Sequence, residues 1–371
     1  MLYKAFVKPI FFTLDPEFVH NGIASIGEVL GKSRLGRAVT KAVFCFQDKR
    51  LKQKIAGIDF DNPIGLSAGF DYNARLTQIL PSVGFGFGTA GTVTNMPYEG
   101  NPTPRLGRLV KSKSLLVNKG FKSEGADKII YKISNFQFSI PIGVSIGRTN
   151  SPKLKTLSQS IDDIVEAFDK FESSKVRNAY YELNISCPNL IHGSKNITFY
   201  QPKNLTNLLS RIDDLKLSKP LFIKMPISES NKSFEAMLRV ISKHNVAGVI
   251  IGNLQKDRKN PSFDKGEIKK AGKGNFSGIP CRVRSNELIA LAYQKYGDKL
   301  AIIGCGGVFD ARDVYEKIKL GASLVMLITG MIFEGPKLVG RINKDLVRLI
   351  HEDGYKNISE AVGIYSLSSR T

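Results

Sequence analysis

From Ile58 onward, short apolar runs alternate with longer stretches in which apolar residues recur every three or four positions. The short β-prone runs predict buried strands, and the three-to-four spacing predicts amphipathic helices. The predicted strands cover residues 64–68, 86–93, 141–146, 180–185, 221–225, 247–251, 301–303 and 324–328. Predicted helices between them include 158–171, 234–244, 285–296 and 311–320.

Eight strands joined by helical crossovers indicate an α/β protein with a parallel sheet, most simply a closed (β/α)8 TIM barrel. An open, doubly wound sheet is the alternative. It is less favoured because no GxGxxG motif follows the first strand.

The first fifty residues follow another pattern. Residues 1–14 carry an apolar stripe at helical spacing, Asp15 and Pro16 form a helix-start signal, and residues 35–46 are basic and apolar. We therefore predict an N-terminal helical domain at 1–50, a barrel at 51–351 and a C-terminal tail at 352–371. The helices either cap the barrel, form a dimer contact, or rest on an anionic membrane surface.

Polar residues follow the central strand, in the stretch 180–192. Asn184, Cys187 and Asn189 stand on a loop that Pro188 interrupts. Parallel barrels present their catalytic groups at the carboxyl ends of the strands. Cys187 is therefore a candidate base or nucleophile, with an inert buried thiol as the alternative.

Other strand ends suggest an anion site. Glycines at 304–307 and at Thr329-Gly330 follow the last two strands, where many barrels bind phosphate. Lys224 ends the fifth strand and is predicted to project into the barrel mouth towards an anion, unless it extends to solvent. The turn at 118–121, Asn-Lys-Gly-Phe, suits a small polar ligand.

Composition adds further constraints. With 42% hydrophobic and 23% charged residues, the chain of 371 residues is typical of a globular protein. The net charge of +21 attracts polyanions, although a lysine-rich composition spread over all faces is the alternative. Because the basic residues are dispersed, we expect no nucleic-acid partner.

The four cysteines match no zinc or CxxC spacing, so we expect reduced thiols and no metal. We also expect neither a spanning helix nor a signal peptide.

Several motifs occur in order along the chain. They are Leu-Asp-Pro-Glu at 14–17, Asn-Pro-Ile-Gly-Leu-Ser-Ala-Gly at 62–69, Gly-Thr-Val-Thr at 91–94, Asn-Pro-Thr-Pro-Arg-Leu at 101–106, Asn-Ile-Ser-Cys-Pro-Asn at 184–189, Ile-Gly-Cys-Gly-Gly at 303–307 and Phe-Glu-Gly-Pro at 333–336. Together they make the chain resemble the dihydroorotate dehydrogenases, the FMN enzymes of pyrimidine synthesis. The resemblance is closest to the membrane-associated, quinone-reducing class.

The resemblance implies oxidation of dihydroorotate to orotate, with FMN as hydride acceptor and a quinone as final electron acceptor. It implies a peripheral protein on the cytoplasmic side of the cell membrane, and Cys187 as the catalytic base. The implied FMN contacts are Ala68, Gly69, Thr92, Ser145, Asn184, Lys224, Gly278, Gly306, Gly307 and Thr329. The implied substrate contacts are Asn118, Lys119, Gly120, Phe121, Asn184, Asn189 and Asn253. A lipid-facing tunnel for the quinone would be lined by Phe6, Ile10, Phe11, Ile23 and Val29.

The chain also departs from the family pattern. Cys187 is the base of the soluble class, whereas the quinone class usually has serine. Tyr72 replaces a lysine that touches flavin and substrate carboxylate in the family, and Lys119 or Arg148 is the candidate to supply the missing charge.

Three smaller departures concern the ligand contacts. The Asn118-Lys119 pair is offset by one against the usual Asn-Arg-x-Gly-Phe, and Ser145 and Gly252 stand where asparagine and threonine are usual. These departures affect the expected substrate contacts more than the fold.

Four alternatives follow. The enzyme would pass electrons to a soluble acceptor, or be another FMN barrel such as a dihydrouridine synthase acting on tRNA. It would otherwise be a phosphate-binding isomerase or aldolase without redox chemistry, or a membrane-surface module with an inactive barrel. The short stretch after the last glycine motif disfavours the tRNA enzyme, which carries a separate RNA-binding domain.

Overall fold

A computed structural model describes residues 2–190 and 198–367. The end of the central stretch, including His192, lies outside the described residues. The strands are β1 (Gln53–Ile55), β2 (Ile58–Phe60), β3 (Ile64–Leu66), β4 (Phe87–Val93), β5 (Leu106–Leu109), β6 (Ser114–Val117), β7 (Ile142–Ile146), β8 (Tyr180–Asn184), β9 (Leu221–Met225), β10 (Gly248–Ile251), β11 (Asn275–Gly278), β12 (Ala301–Cys305) and β13 (Leu324–Leu327).

The helices are α1 (Lys8–Thr13), α2 (Pro16–Lys32), α3 (Arg34–Phe44), α4 (Leu80–Val83), α5 (Ala126–Ile133), α6 (Leu157–Glu172), α7 (Pro202–Asp213), α8 (Asn231–Ile241), α9 (Lys265–Lys270), α10 (Arg282–Tyr296), α11 (Ala311–Lys319), α12 (Thr329–Glu334), α13 (Leu338–Glu352) and α14 (Ile364–Leu367). A π-helical segment, Tyr3–Val7, leads into α1.

The eight predicted strands close into one barrel in the order β3-β4-β7-β8-β9-β10-β12-β13, and every neighbouring pair is parallel. The prediction of a (β/α)8 barrel is confirmed. The ends of the predicted helices shift by a few residues where caps decide them. For example, α8 begins at Asn231 because the Ser230 side chain accepts a hydrogen bond from the backbone N–H of Ser233.

The barrel interior changes from apolar to polar along its axis. Near the amino ends of the strands, Phe87, Tyr180, Phe222 and Leu324 pack together, and Phe60 of the β1–β2 hairpin closes this end. Side chains alternate in direction along a strand, so residues two positions further point into the same interior. Three of these four residues, Thr89, Glu182 and Lys224, are polar, whereas Met326 is apolar. This end of the barrel contains the candidate site.

A second, antiparallel sheet of order β11-β6-β5 lies in the connections that follow β4 and β10. Because these connections leave the carboxyl ends of the strands, the sheet lies beside the barrel mouth. The predicted ligand turn at 118–121 directly follows β6.

The three predicted N-terminal helical segments are present. Asp15 caps α2 as expected, with its carboxylate accepting a hydrogen bond from the backbone N–H of Phe18 at 2.8 Å. Within the two described ranges, no helix is long and apolar enough to cross a membrane.

The chain beyond α13 packs on the barrel. Ile358 and Ala361 are buried, and the Ser359 hydroxyl donates to the Gln53 side chain at 3.3 Å. The domain limits at residues 50 and 351 stay predictions.

Candidate active site

The polar end of the barrel interior is formed by one residue from each of five strands or strand ends. We call these residues the polar floor: Ser67, Ser145, Glu182, Lys224 and Cys305. The Lys224 ammonium donates to the Ser67 hydroxyl at 3.0 Å and lies 3.8 Å from the nearer Glu182 oxygen. Glu182 accepts from the Ser145 hydroxyl at 2.6 Å. Both charged side chains are almost completely buried, so the pair compensates in part for its own desolvation.

The sequence predicts that Lys224 faces an anion, and in the structure that anion is the Glu182 carboxylate. The alternative that its ammonium extends to solvent is wrong, because the residue is 4% exposed. Glu182 was not singled out from the sequence. The sequence feature that could have identified Glu182 is a carboxylate within a β-prone run, two positions before Asn184 and therefore on the same face of the strand.

A chain of hydrogen bonds connects the polar floor with the loop that carries Cys187. The Thr92 hydroxyl lies 2.9 Å from that of Ser145, and the Asn184 amide donates to Thr92 at 2.9 Å. The Ser186 hydroxyl donates to the Asn184 carbonyl oxygen at 2.9 Å, and the Asn253 amide donates to Ser186 at 2.5 Å. The structure thus brings together predicted residues that lie far apart in the chain.

A cleft with a volume of about 90 Å3 lies above the polar floor. Predicted residues that line it are Ala68, Lys224, Asn253, Gly278, Gly306, Gly307 and Thr329. Ser67, Ser277, Cys281 and Cys305 also line it and were not named as contacts. We call this cleft the glycine cleft.

Its glycines are required by geometry. Gly306 has φ +108°, and a methyl group there would lie 3.0 Å from the Cys281 side chain. At Gly307, with φ +72°, a methyl group would overlap Arg282, and at Gly278 it would overlap the Lys113 carbonyl. Glycine lets the backbone approach a ligand closely. Gly69 has the same role nearby, where its N–H donates to the Gly91 carbonyl at 2.7 Å in the turn after β3.

Cys187 lies on the loop after β8 and is half-buried. Burial raises the pKa of its thiol to about 12, and only in part do the Asn189 backbone and the ammonium groups of Lys224 and Lys256 counter this. Without a ligand the thiol is therefore protonated at neutral pH.

Two of the predicted substrate amides, Asn118 and Asn189, belong to a larger group of asparagines, which we call the amide cluster: Asn101, Asn118, Asn150, Asn189 and Asn275. Asn101 donates to the Asn118 side chain at 3.0 Å and to the Asn189 carbonyl at 2.9 Å. Asn275 donates to the Asn189 side-chain oxygen at 2.6 Å, and Asn189 donates to the backbone of β6. Sequence reasoning missed the ligand-site context of Asn101, Asn150 and Asn275 because their contacts are between distant segments.

The turn at 118–121 has an unusual backbone. Gly120 and Phe121 both have positive φ, +66° and +65°. The Gly120 carbonyl accepts from the Asn150 amide at 3.2 Å. A methyl group at Gly147 would lie 2.7 Å from the Phe121 ring and 2.8 Å from Thr92, so this ring lies against the end of β7.

Tyr72, which replaces the family lysine, occupies a distinct environment. Its ring stacks on His20 with 5.6 Å between centroids, and the Lys119 ammonium lies 4.3 Å from its centroid on a cation–π contact. Arg148, the other candidate for the missing charge, bonds instead to the Ser160 hydroxyl and the Leu154 carbonyl. Of the two, only Lys119 is placed beside Tyr72.

An apolar cavity of about 670 Å3 lies between the N-terminal helices and the barrel. Val19, His20 and Ile23 of α2 face Phe70 and Met331 across it. The predicted tunnel residues Phe11 and Ile23 do line the cavity. The prediction is wrong for Phe6, Ile10 and Val29, which are 66%, 62% and 68% exposed. These three side chains point away from the cavity. The helical period predicts an apolar face, but it does not predict what covers that face, which is why the prediction failed here.

The cavity and the glycine cleft are lined by different residues of the same two segments. Thr329 lines the cleft and Met331, in the same helix α12, lines the cavity. Ala68 lines the cleft, and Phe70 lines the cavity two residues later. The two spaces therefore both border the loop after β3 and helix α12.

The fit of a flavin nucleotide to the cleft can be judged from its donors. Backbone at the positive-φ glycines suits a phosphate, and a buried ammonium at Lys224 suits an electron-rich ring. One Glu182 oxygen lacks a hydrogen-bond partner among the described residues, so it can accept a bond from a ring N–H. These residues fit FMN.

The fold and this site define a (β/α)8 barrel with a polar, glycine-lined cleft at the carboxyl ends of its strands. The family model for dihydroorotate dehydrogenase matches residues 50–350. The chain belongs to the dihydroorotate dehydrogenase family.

Similar proteins cover nearly the whole chain. The dihydroorotate dehydrogenase (quinone) of Gloeobacter violaceus is 33% identical over 364 residues, 98% of each chain. That of Trichodesmium erythraeum is 32% identical over 384 residues, again 98% of each. A crystal structure of DHODH from Eimeria tenella in complex with ferulenol superimposes with a TM-score of 0.81 at 25% identity, covering 94% of this chain and 95% of that one.

Proposed function

We propose that this protein oxidises dihydroorotate to orotate in pyrimidine synthesis, with FMN in the glycine cleft and a quinone as final electron acceptor. The observation that carries the proposal is the adjacency of a polar, glycine-lined cleft and an apolar cavity that share α12 and the loop after β3. The curated relatives named above support the reaction.

A bound FMN would supply the acceptor for the hydride that leaves C6 of the substrate. The chain contributes Lys224, whose cation stabilises negative charge on the ring, and Glu182, which keeps that cation in place. Backbone at Gly278, Gly306 and Gly307 with the Thr329 side chain would hold the phosphate.

We assign the proton transfer to Cys187. The proton at C5 lies next to a carbonyl, so a positioned base suffices if the amides stabilise developing enolate charge. Asn184, Asn253 and the amide cluster supply donors around the loop that carries this thiol. Since the thiol is protonated in the empty site, substrate binding has to lower its pKa.

The apolar cavity would take the quinone, and the outward-facing helices would rest on lipid. Leu35 and Val39 of α3 are 74% and 55% exposed, and Arg34 and Lys41 are on the same helix. Lys4 and Lys8 add basic charge in the π-helical segment and in α1. Such a surface suits peripheral binding to the anionic inner face of the cell membrane.

A second candidate is oxidation of dihydroorotate with a soluble acceptor, favoured by Cys187 at the position where the quinone class has serine. It predicts electron transfer that does not depend on the apolar cavity.

An anaerobic visible spectrum of the purified protein, before and after dihydroorotate, tests the proposal. A yellow protein that bleaches is the expected result. A yellow protein that stays yellow would contradict dihydroorotate as substrate, and a colourless protein that takes up no FMN would overturn the oxidoreductase assignment.

A further inference from the structure

Lys119 carries an ammonium group for which the described part of the chain provides no carboxylate of its own. The residue is half-buried, and its ammonium lies over the Tyr72 ring rather than on an acidic side chain. Neighbouring cations are paired differently. Lys122 lies 3.4 Å and Arg105 3.1 Å from the same Glu17 oxygen. Three cations therefore surround a single carboxylate, and the excess charge favours an anionic ligand.

The charge is held in a defined place. Asn101 donates its backbone N–H to the Lys119 carbonyl at 3.2 Å, which anchors the base of the side chain. At the other end, the Tyr72 ring is stacked on His20, and its hydroxyl donates to the Asn21 side chain at 3.3 Å. The ammonium thus rests on a ring that two residues of α2 keep in position.

This place is at the barrel mouth. Tyr72 lies on the loop after β3, four residues after Ala68, which lines the glycine cleft. Lys119 follows Asn118 of the amide cluster, which Asn101 connects to the backbone of Asn189 beyond Cys187. The contact between Lys119 and Tyr72 therefore joins the turn that carries Asn118 to the loop after β3.

We infer that Lys119 binds the carboxylate of the pyrimidine substrate and that Tyr72 is a positioning residue for its ammonium group. The inference rests on the proposed function, because dihydroorotate and orotate supply the anion. Arg148 does not compete for this role, since its guanidinium bonds to Ser160 and Leu154. In this chain Tyr72 replaces the family lysine, and its ring positions a different lysine, Lys119.

The test is an equilibrium titration of the FMN-loaded protein with orotate, followed through the flavin absorbance. The Lys119→Met variant removes the charge and keeps the chain length. We expect its affinity for orotate to fall about 10- to 100-fold, the range for a lost hydrogen bond to a charged group. Affinity for orotate methyl ester, which lacks the negative charge, should change less than about threefold.

Two variants provide matched comparisons. Lys122→Met removes a lysine three residues away that Glu17 already pairs, and should bind orotate like the wild type. Tyr72→Lys combined with Lys119→Met restores a cation from the opposite side of the contact, and should recover most of the lost affinity. Recovery would be unexpected if Lys119 only supported the fold.

The wild-type protein provides a test that needs no variant. Burial lowers the pKa of Lys119 to about 8, with Glu17 opposing and Lys122 and Arg105 adding to the shift. Burial lowers the pKa of His20 to about 3 and raises that of Tyr72 above its usual value of 10, so neither changes charge near pH 8. Orotate affinity should therefore fall above pH 8, by up to tenfold per pH unit, and the ester should lack this step.

The failures are distinguishable. Wild-type protein that binds FMN but not orotate overturns the proposed function. Normal orotate binding by Lys119→Met, or equal losses of orotate and its ester, overturns only the role of Lys119.

Discussion

Cys187 shows how strongly a reactive residue depends on its surroundings. A free thiol has a pKa near 8.5, and burial raises that of Cys187 to about 12. As the proposed base, Cys187 has to lose its proton in the substrate complex, and the Lys224 charge favours the thiolate there. Sequence could suggest the residue but not this shift, because the shift depends on side chains that lie far along the chain.

Replacing this thiol gives the first prediction. In Cys187→Ala, FMN content should be unchanged, while bleaching by dihydroorotate slows by about 10²-fold or more, as expected for loss of a general base. Stopped-flow absorbance under anaerobic conditions measures the rate. Cys45→Ala, which removes a thiol outside the barrel, is the control. Bleaching at the wild-type rate would exclude Cys187 as the base.

The pH dependence of the same step follows from the raised pKa. The thiol is protonated below its pKa of about 12 in the empty site, and substrate binding has to lower that pKa. Because the base form grows with pH, the bleaching rate at saturating dihydroorotate should rise with pH and level off above the pKa of the complex. A rate that falls as the pH rises from 6 to 9 would contradict proton removal by Cys187.

Glu182 gives the second residue-scale prediction. Its carboxylate faces the buried Lys224 ammonium at 3.8 Å. Glu182→Gln leaves that cation without its counter-charge, which favours negative charge on a bound flavin. The flavin midpoint potential should rise by about 30 mV or more, equivalent to about 1.4 kcal/mol for two electrons. Spectroelectrochemistry measures it.

The comparison for this variant is Ser145→Ala, which removes a hydrogen bond to Glu182 but no charge. Its potential should stay closer to that of the wild type. Equal shifts in both variants would contradict an effect of the Glu182 charge.

At the scale of elements, helix α2 has two functions that depend on its two faces. Its inner face packs closely on the barrel: a methyl group at Gly31 would lie 3.2 Å from Gln78, and Arg75 donates to Glu28 at 2.6 Å. Val19, His20 and Ile23 line the apolar cavity, whereas Val29 is exposed. Substitutions on the two faces should therefore affect different steps.

Val19→Trp tests this division. The larger side chain fills part of the cavity, so quinone reduction should slow at least about tenfold, equivalent to about 1.4 kcal/mol of binding free energy. Bleaching by dihydroorotate should be unchanged. Val29→Trp, on the outer face of the same helix, should leave both rates unchanged. Electron transfer to a soluble dye serves as the reference reaction. Equal rates of quinone reduction in the wild type, Val19→Trp and Val29→Trp would refute the assignment of the apolar cavity to the quinone.

At the scale of the whole molecule, charge and exposed apolar surface act together. The protein has a net charge of +21, and the exposed apolar residues of α3 recur at Leu35, Val39 and Val43. Basic charge attracts an anionic surface over about 10 Å at 0.1 M salt, and apolar side chains bind it at contact. The N-terminal helices are therefore the expected contact.

Vesicles that contain anionic lipid test this surface. Leu35→Glu with Val39→Glu should reduce sedimentation with the vesicles at least about tenfold, since two apolar contacts are lost and two negative charges are gained. Wild-type binding should weaken as salt rises to 1 M, where the screening length is about 3 Å. Val283→Glu, at an equally exposed position of α10, is the control. Unchanged binding by the double variant would refute the membrane contact.

Local patterns determined the barrel and the position of its site. Strand and helix periods span only a few residues, so the order of elements, the caps such as Asp15, and the polar loops after each strand were readable without tertiary contacts. The order of family motifs likewise identified Cys187, Asn184 and the glycines.

Tertiary structure alone decided which groups pair. Lys224 faces Glu182 from the adjacent strand, Lys119 rests on Tyr72, and Asn189 is bonded by Asn101 and Asn275 from other segments. It also decided that Phe11 and Ile23 enter the cavity while Phe6 and Ile10 face outward. A periodic pattern defines a face, but the partner of that face depends on packing between segments far apart in the chain.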